Sequence, residues 1–366
     1  SQHYAVLDAA RGLAALAVLI YHMKWLLGGA ALLPGSFLAV DLFFLMSGLV
    51  VSHAYDNRLV DGRLSLGRFV WLRIVRLFPL YLTACAIGAS YFLSKMLLAV
   101  DDAPSVGQML YGALAALLIL PAVGAEGWGF GVFPFAPSAW SLALEFWFNV
   151  VYAMLVVGLG TRALWGLALA ALALLCHQAW AFGSLDLGWG VSTLLGGSAR
   201  FWFSFTLGVI LRRTLMARAP STPWAIALVP LAFGFVLLPH NAVSLQLLWI
   251  VVVFPAFVLL SARTPLPPFG GVVADHLGRL SYGLYILHAP IIMLSLGVLK
   301  QVPGAPLTRF PTQIGLAILV VVVLATVVLT YGFEEPLRRR LARRRQAAQP
   351  APDPVVAAGD QTATPR

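Results

Sequence analysis

The first apolar segment contains one arginine and one histidine whose spacing suits a reactive pair. Arg11 and His22 are eleven residues apart, which at 3.6 residues per turn returns to nearly the same helix face, about 16 Å further along the axis. Imidazole titrates near neutrality, so His22 could act as a general base or as a nucleophile. We predict Arg11 at the rim of the membrane and His22 near its middle. The alternative is an anchoring Arg11 paired with Asp8, and a buried His22 whose hydrogen bonds are satisfied.

Two lone carboxylates interrupt later apolar segments. Asp41 lies shortly before Ser47, and Glu145 follows Trp140 and Ser141. An ionisable side chain inside a membrane segment is costly and by default indicates a functional site. We therefore predict a catalytic role for Glu145. Supporting polar roles are predicted for Asp41, Ser47, Trp140 and Ser141. Either carboxylate could orient the imidazole of His22. The alternative for Asp41 is a helix cap, where a carboxylate suits the helix dipole.

Three arginines at the start of the third apolar segment are candidates for binding an anion. Arg73 and Arg76 are three residues apart, so they are neighbours on one helix face, and Arg68 precedes them by one further turn. A guanidinium group suits bidentate contact with phosphate. The alternative is that these arginines only anchor the helix at the cytoplasmic face of the membrane.

A polar stripe marks one late apolar segment. Ser281, Tyr285 and His288 follow the i, i+4, i+7 spacing of a single helix face. We count them among the supporting polar residues of a site, whereas the alternative is hydrogen bonding between helices that serves packing alone.

The elements that carry these residues are predicted to be membrane-spanning helices. Of the 366 residues, 60% are hydrophobic and only 10% are charged, whereas about a quarter of the residues in a soluble domain are charged. Apolar runs of roughly twenty residues recur along the chain, which is the length needed to cross a bilayer as a helix. Strands of a membrane barrel would be shorter and would alternate apolar with polar residues. We therefore predict an all-α, polytopic bundle. Cys85 and Cys176 both lie in apolar runs, and neither a disulfide nor a metal site is expected.

Eleven segments are candidates for membrane spans, and the charges between them reduce this number to ten. The candidates are 12–30, 37–55, 77–99, 107–123, 140–159, 163–182, 199–213, 223–239, 244–261, 280–299 and 311–332. Four arginine clusters should all face the cytoplasm, and they comprise Arg58, Arg63, Arg68, Arg73 and Arg76; Arg212, Arg213 and Arg218; Arg263 and Arg279; and Arg338 to Arg345. With eleven full crossings, these four clusters could not all lie on the same side of the membrane. We predict that 107–123 does not cross, which leaves about ten spans with both termini cytoplasmic.

The chain divides into one membrane domain and a short polar end. Residues 1–336 form the predicted integral membrane domain, 337–345 a basic cytoplasmic anchor, and 346–366 a disordered tail, because that tail is rich in proline and alanine and lacks aromatic residues. The arginine run follows a span directly, so we interpret it as an anchor against anionic lipid rather than as a nucleic-acid patch. The net charge of +10 then reflects topology.

The motifs together resemble the acyltransferase family three membrane proteins, which include O-acetyltransferases of bacterial surface polysaccharides. The resemblance rests on six motifs in order, between residue 7 and about residue 336: Leu7-Asp8-Ala9-Ala10-Arg11-Gly12 with Tyr21-His22, the Val40 to Gly48 segment, Arg73 with Arg76, Trp140 to Glu145, Ser281 to His288, and Glu335-Pro336. Two positions depart from the family pattern. Ala9 stands where glycine is common, and Phe146 stands where a polar residue is frequent.

This resemblance implies an acyl-CoA donor, usually acetyl-CoA, that enters from the cytoplasm, and a carbohydrate or glycolipid hydroxyl as acceptor. It makes Arg11 and His22 the essential pair and assigns donor phosphates to Arg73 and Arg76. It implies a multi-pass protein of the bacterial plasma membrane with no permanently bound cofactor. Since only a basic run and a tail follow Pro336, the domain either completes the transfer or passes the acyl group to a separate extracytoplasmic protein. The alternative function is a secondary transporter or flippase.

Overall fold

The computed structural model describes residues 4–29, 31–128, 131–216, 223–301 and 309–347, and every regular element in these ranges is helical. In chain order, the main helices are α1 (Ala5–His22), α2 (Ser36–Val60), α3 (Leu66–Leu97), α4 (Val106–Leu117), α5 (Ala139–Val156), α6 (Thr161–Phe182), α7 (Val191–Thr214), α8 (Val243–Ser261), α9 (Pro268–Gln301) and α10 (Pro311–Leu341). Within the described ranges, all of these except α4 are long and apolar enough to span a membrane. The predicted polytopic helical bundle is confirmed.

Contacts between α1 and α9 show that these two helices run in the same direction. Near the start of both helices, a Cβ on Gly12 would lie 2.5 Å from the Cβ of Leu277. Further along, the rings of His22 and His288 are 4.7 Å apart between centroids. Small residues allow membrane helices to approach this closely, so glycine in the first motif brings the two histidines together.

Helices α2, α5 and α7 run in the other direction. Asp41 meets Arg200 near the start of α2, and Asp56 meets Arg213 near its end, so α2 and α7 are parallel. Tyr152 on α5 donates to Asp56 as well. We call the end of the bundle where α1, α3 and α9 begin and α2, α5 and α7 end the basic end, because the described arginines of all four clusters lie there. The other end is called the opposite end.

Helix α4 enters the bundle and leaves it on the same side. Tyr81 on α3 donates to the carbonyl of Ala116 at 2.7 Å, and Trp147 on α5 donates to that of Ile119 at 3.2 Å. The tip of α4 therefore reaches the middle of its neighbours. The chain then returns to the opposite end, where Ser138 contacts His288. This agrees with the prediction that the segment 107–123 does not cross.

The segment 223–237 crosses the bundle without forming a regular helix. It consists of a 3₁₀ helix (Pro223–Leu228), a single α turn (Val229–Ala232) and a second 3₁₀ helix (Phe233–Leu237). At about 2.0 Å per 3₁₀ residue and 1.5 Å per α residue it extends roughly 28 Å, close to the thickness of the hydrocarbon core. It follows the end of α7 and reaches the opposite end, where the Val236 carbonyl accepts from the backbone of Gly35. With it, ten segments of the described ranges run from one end of the bundle to the other.

Both ends of the described chain lie at the basic end. Asp8 on α1 lies against Gly278 of α9. Arg279, the next residue, binds Glu335 on α10 at 3.3 Å. This arrangement agrees with the predicted topology of two termini on one side. The last helix continues to Ala347, so it contains the segment 337–345 that we predicted as an anchor and the first two residues of the predicted tail. The rest of the tail lies outside the described residues.

The predicted position of the first span is wrong by about two turns. The sequence placed it at 12–30, whereas α1 begins at Ala5 and ends at His22. Asp8 and Arg11 form an ion pair of 3.6 Å, which allows two charged residues to lie inside the helix rather than before it. Arg11 is therefore two turns into α1, and His22 is its last residue rather than a residue of its middle.

Candidate active site

Three cavities follow one another along the bundle and share residues where they meet. The basic-end cavity, of about 290 Å³, includes Asp8, Arg11, Arg76, Arg279, Tyr282 and Arg338 in its lining. The central cavity, of about 110 Å³, includes Arg11, Ser47, Arg76, Glu145, Tyr282 and Tyr285. The opposite-end cavity, of about 360 Å³, includes Tyr21, His22, Val40, Asp186, Trp189 and Tyr285.

The junctions between these cavities coincide with residues that the sequence singled out. Arg11, Arg76 and Tyr282 line both the basic-end and the central cavity. Val40 and Tyr285 line both the central and the opposite-end cavity. The two members of the Arg11/His22 pair thus face different ends of one route through the bundle. They share that route but do not touch.

His22 is exposed to the opposite-end cavity and is held in one orientation by its own helix. Its Nδ1 lies 2.9 Å from the carbonyl of Val18. Because a carbonyl only accepts hydrogen bonds, Nδ1 carries the hydrogen and Nε2 keeps its lone pair. The alternative of a buried, satisfied histidine is wrong. So is the expectation that Glu145 or Asp41 orients the ring, because both carboxylates bind arginines elsewhere.

His288 lies beside His22 but has a different environment. It is fully buried. Its Nδ1 lies 3.1 Å from the carbonyl of Leu284, and its Nε2 lies 3.3 Å from the hydroxyl of Ser138. The same reasoning on tautomers makes Nδ1 the donor to the carbonyl and Nε2 the acceptor from the serine. Both nitrogens are therefore occupied, and His288 supports the position of His22 by packing against it.

Glu145 forms the centre of a polar cluster in the central cavity. Its Oε1 accepts from Arg73 at 2.5 Å and from Ser47 at 2.8 Å. The Arg73 side chain is only 5% exposed. The Glu145 carboxylate offsets the charge of this guanidinium, and Arg73 forms part of the wall of the central cavity. Its role in donor binding stays a prediction.

Arg76 is placed quite differently from Arg73, although they are three residues apart. It lines the junction of the basic-end and central cavities, and no carboxylate among the described residues pairs with it within 4.0 Å. The other arginines of the basic-end cavity are paired: Arg11 with Asp8, Arg279 with Asp275 and Glu335, and Arg338 with Glu334. Arg68 is half-buried in the first turn of α3 and is not part of the lining of the three cavities.

Asp41 belongs to a buried ion pair that the sequence did not indicate. Both of its carboxylate oxygens accept from Arg200, the shortest contact being 2.6 Å, and both side chains are fully buried. Arg200 also donates to the carbonyls of Phe37 and Leu187 and lies over the ring of Trp140. The helix-cap alternative for Asp41 is therefore wrong. A lone arginine inside an apolar segment was the signal available for Arg200.

The polar stripe on α9 faces α5, as the hydrogen-bonding alternative predicts. Tyr285 and Ser141 share a hydrogen bond of 2.7 Å between their hydroxyls. Ser281 donates to the carbonyl of Gly278 in its own helix and lines the central cavity. The stripe therefore both packs the helices and forms the wall of the route between the cavities.

Three groups at the opposite end were missed as site residues. Tyr21 donates to Asp186 at 3.3 Å and lies 3.1 Å from Nε2 of His240. Burial lowers the pKa of His240 from its ordinary value, so this ring is neutral at neutral pH. Asp186 and His240 come from loops that follow α6 and the segment 223–237. Nothing in their spacing could have indicated that these loops meet.

The arrangement can bring a long ligand and a second, hydroxyl-bearing ligand together at His22. A ligand with an anionic head at Arg76 could extend through the central cavity towards Tyr285. A hydroxyl in the opposite-end cavity could give its proton to Nε2 of His22, or Nε2 could attack an electrophilic carbon itself.

Comparison with known proteins gives consistent matches along the chain. The family described as an acyltransferase domain matches residues 4–334. A protein of Komagataeibacter xylinus, provisionally named membrane-bound transacylase BcsY, is 28% identical over 361 residues, covering 93% of this chain and 86% of that protein. Acyltransferase MdmB of Streptomyces mycarofaciens is 28% identical over 350 residues, covering 87% of this chain and 85% of that protein.

A third match covers a smaller part of the chain. A protein of Staphylococcus aureus (strain COL), provisionally named O-acetyltransferase SACOL0978, is 28% identical over 158 residues, covering 42% of this chain and 24% of that protein. No solved structure matches the chain.

Proposed function

The chain belongs to acyltransferase family three, and from this membership we propose that it transfers an acyl group, in the simplest case acetyl, from acyl-CoA to a hydroxyl of a carbohydrate or glycoconjugate. That it is a multi-pass membrane acyltransferase follows from the family and from the apolar helices. The transporter alternative has no comparable support. The donor, the acceptor class and the location in a bacterial plasma membrane are the proposed parts.

The observation that carries the proposal is the series of three cavities between Arg76 and His22. Arg76 is a cation without a carboxylate partner among the described residues, at the junction nearest the basic end. A guanidinium group of this kind suits the phosphates of coenzyme A. The central and the opposite-end cavity, which meet at Val40 and Tyr285, together provide a path for the extended arm of the donor. The path is about 16 Å long, the rise along α1 from Arg11 to His22, and His22 lines its far part.

The chemistry at His22 follows from its free Nε2. The acceptor oxygen bonds to the acyl carbon while Nε2 removes the hydroxyl proton, the bond between carbon and sulphur breaks, and the proton passes from His22 to the departing thiolate. In the second route, Nε2 itself attacks the acyl carbon, the bond between carbon and sulphur breaks, and the coenzyme A thiolate leaves. The acceptor oxygen then bonds to the acyl carbon, the bond between carbon and Nε2 breaks, and the hydroxyl proton goes to the thiolate. Both routes need an unprotonated Nε2, and they differ in whether a covalent intermediate forms.

Replacement of His22 tests the proposal. Purified protein in lipid nanodiscs is given radiolabelled acetyl-CoA and methyl β-glucoside, and acetylated glycoside and free thiol are measured. We expect His22→Gln to lose about a hundred- to ten-thousand-fold in transfer rate, the usual contribution of general base catalysis, while still binding acetyl-CoA. A larger loss favours the acyl-histidine route, which mass spectrometry of the rapidly quenched peptide would detect.

The matched control is His177→Gln on α6, where the ring is exposed on another helix and the rate should not change. Near-normal turnover by His22→Gln would show that His22 is not the reactive group. Wild-type protein that neither binds acetyl-CoA nor releases its thiol would contradict the proposed donor.

A further inference from the structure

The opposite-end cavity is built by separate parts of the chain around Tyr21. Tyr21 ends α1 together with His22, while Asp186 and Trp189 come from the loop between α6 and α7. His240 comes from the loop before α8 and stacks on Phe37 with ring centroids 4.9 Å apart. The cavity is the largest of the three, and His22 lines it. It is therefore where a second substrate would meet His22.

A directed chain of hydrogen bonds crosses this cavity wall. An ionised carboxylate only accepts, so the hydroxyl of Tyr21 donates to Oδ2 of Asp186. The hydroxyl oxygen then accepts from Nε2 of His240. A carboxylate offers about four lone-pair sites, and this chain uses one of them. Asp186 is thus held in place and retains accepting capacity for groups in the cavity.

A buried glutamine fixes the loop that carries Asp186 and the loop that carries His240 relative to each other. Gln246 on α8 is fully buried. Its side-chain oxygen accepts from the backbone of Leu185 at 3.0 Å, and its side-chain nitrogen donates to the carbonyls of Pro239 and His240 at 2.7 and 2.8 Å. One side chain therefore fixes the residue next to Asp186 and the backbone of His240 at once. The position of Asp186 is a built feature of the fold.

The charges and rings around Asp186 define the kind of ligand that fits. Lys24 also lines the cavity, with its ammonium 4.1 Å from the centroid of Tyr21. One cation offsets one carboxylate, and His240 adds no charge at neutral pH. Two exposed tryptophans in the lining, Trp25 and Trp189, present apolar faces. A cavity wall with no net charge, with hydrogen-bond acceptors and with aromatic faces suits an uncharged ring rich in hydroxyl groups.

We propose that Asp186, Tyr21 and Trp189 form the subsite that binds the acceptor, and that the acceptor presents an uncharged, polyhydroxylated sugar ring there. Asp186 accepts hydrogen bonds from ring hydroxyls, and a Trp189 face packs against the apolar side of the ring. The subsite lies in the same cavity as His22, so a neighbouring hydroxyl of the bound ring can reach Nε2. This proposal rests on the proposed function and specifies its acceptor site.

The test is a comparison of steady-state constants for acceptor and donor. Wild-type protein in nanodiscs is assayed with acetyl-CoA and, separately, methyl β-glucoside, glucosamine and glucuronic acid. We expect the uncharged glycoside to be the best acceptor. Asp186→Asn keeps the side-chain shape but removes a charged acceptor, so it should raise KM for the glycoside about ten- to a hundredfold, with KM for acetyl-CoA unchanged. Trp189→Ala should act in the same direction.

Matched controls lie at the same end of the bundle. Asp101→Asn removes a carboxylate from another loop, and Trp180→Ala removes an exposed tryptophan of α6 outside this cavity. Neither should alter KM for the glycoside. An Asp186→Asn enzyme with the same acceptor KM as wild type overturns the subsite, as does a preference for glucosamine or glucuronic acid. If none of the three is acetylated, the acceptor class and the subsite both fail, whereas thiol release from acetyl-CoA still reports on the donor.

Discussion

At the scale of single residues, two neighbouring histidines have opposite properties. The rings of His22 and His288 are 4.7 Å apart between centroids. Both use Nδ1 to bond a carbonyl one turn earlier, but only His288 is buried with its second nitrogen also bonded. Only Nε2 of His22 can therefore meet a ligand. Of the two histidines, His22 is the one with a free reactive atom.

Arg73 and Arg76 should respond differently to the same substitution. Arg73→Ala leaves the half-buried Glu145 without its cation, which should lower the free energy of unfolding by about 1–3 kcal/mol, the usual cost of leaving a desolvated polar group without its partner. Arg76→Ala removes a charge-assisted contact to the donor, worth about 1.5–3 kcal/mol, and should weaken acetyl-CoA binding about ten- to a hundredfold without loss of stability. Calorimetric binding and unfolding in detergent would separate the two effects.

Control variants separate the effect of breaking the ion pair between Arg73 and Glu145 from the effect of removing a positive charge. Arg68→Ala, outside the three cavities, should change neither quantity. Arg73→Met combined with Glu145→Met should recover much of the stability that Arg73→Ala loses, because replacing both members of a buried pair avoids an uncompensated charge. If Arg73→Ala were stable and failed to bind donor, Arg73 would be a phosphate contact after all.

The partners of single residues were the part of the site that the sequence could not predict. It identified Arg11, His22, Asp41 and Glu145 as charged or polar groups inside apolar segments, since any such group needs a reason to be there. It did not indicate that Asp41 pairs with Arg200, because that contact joins residues 159 positions apart. Pairing depends on which helices are neighbours, and hydropathy carries no information on that.

At the scale of elements, the helices were predicted more reliably than their ends. The number of crossings followed from apolar length together with the rule that arginines stay on one side. The error in α1 arose because an ion pair allowed charged residues inside the helix. A span was predicted at 223–239, but nothing in its composition indicated that residues 223–237 would be mostly 3₁₀ helix.

The topology of α4 makes a prediction about accessibility. In a variant whose two native cysteines are replaced by alanine, single cysteines are introduced in place of Asp101, Val123 or Asp61. The first two flank α4 and should both react with an impermeant thiol reagent added outside intact cells, because the segment returns to the side it came from. A cysteine at position 61, in the turn between α2 and α3, should react only after permeabilisation.

Opposite labelling of positions 101 and 123 would show that α4 crosses the membrane. External labelling of position 61 would reverse the sidedness of the whole bundle. Each variant must retain acetyl-CoA binding, so that labelling reports on the native arrangement.

At the scale of the whole molecule, α2 and α7 form the frame around which the cavities are arranged. They are joined near one end by Asp41 with Arg200 and near the other by Asp56 with Arg213. Between these ion pairs the backbones touch, because a Cβ on Gly48 would lie 2.0 Å from the carbonyl oxygen of Phe205. A pair of helices fixed at three levels cannot slide, so any motion that admits substrates must occur in the helices around them.

The pair of Asp41 and Arg200 also has a consequence for biogenesis. Arg200 lies inside the apolar part of α7, as its tenth residue, and an arginine at the centre of a span raises the free energy of insertion through the translocon by about 2.5–3.5 kcal/mol. Asp41 on α2 is synthesised 159 residues earlier and can supply the counter-charge.

In cell-free translation with membranes, Asp41→Asn should therefore lower the inserted fraction of α7, and adding Arg200→Leu should restore it. Asp61→Asn is the neutral control. Equal insertion of α7 with and without the Asp41 carboxylate would contradict this. The ion pair that joins α2 to α7 in the finished fold thus also imposes an order of assembly, in which α2 must already be in the bilayer before α7 can remain there.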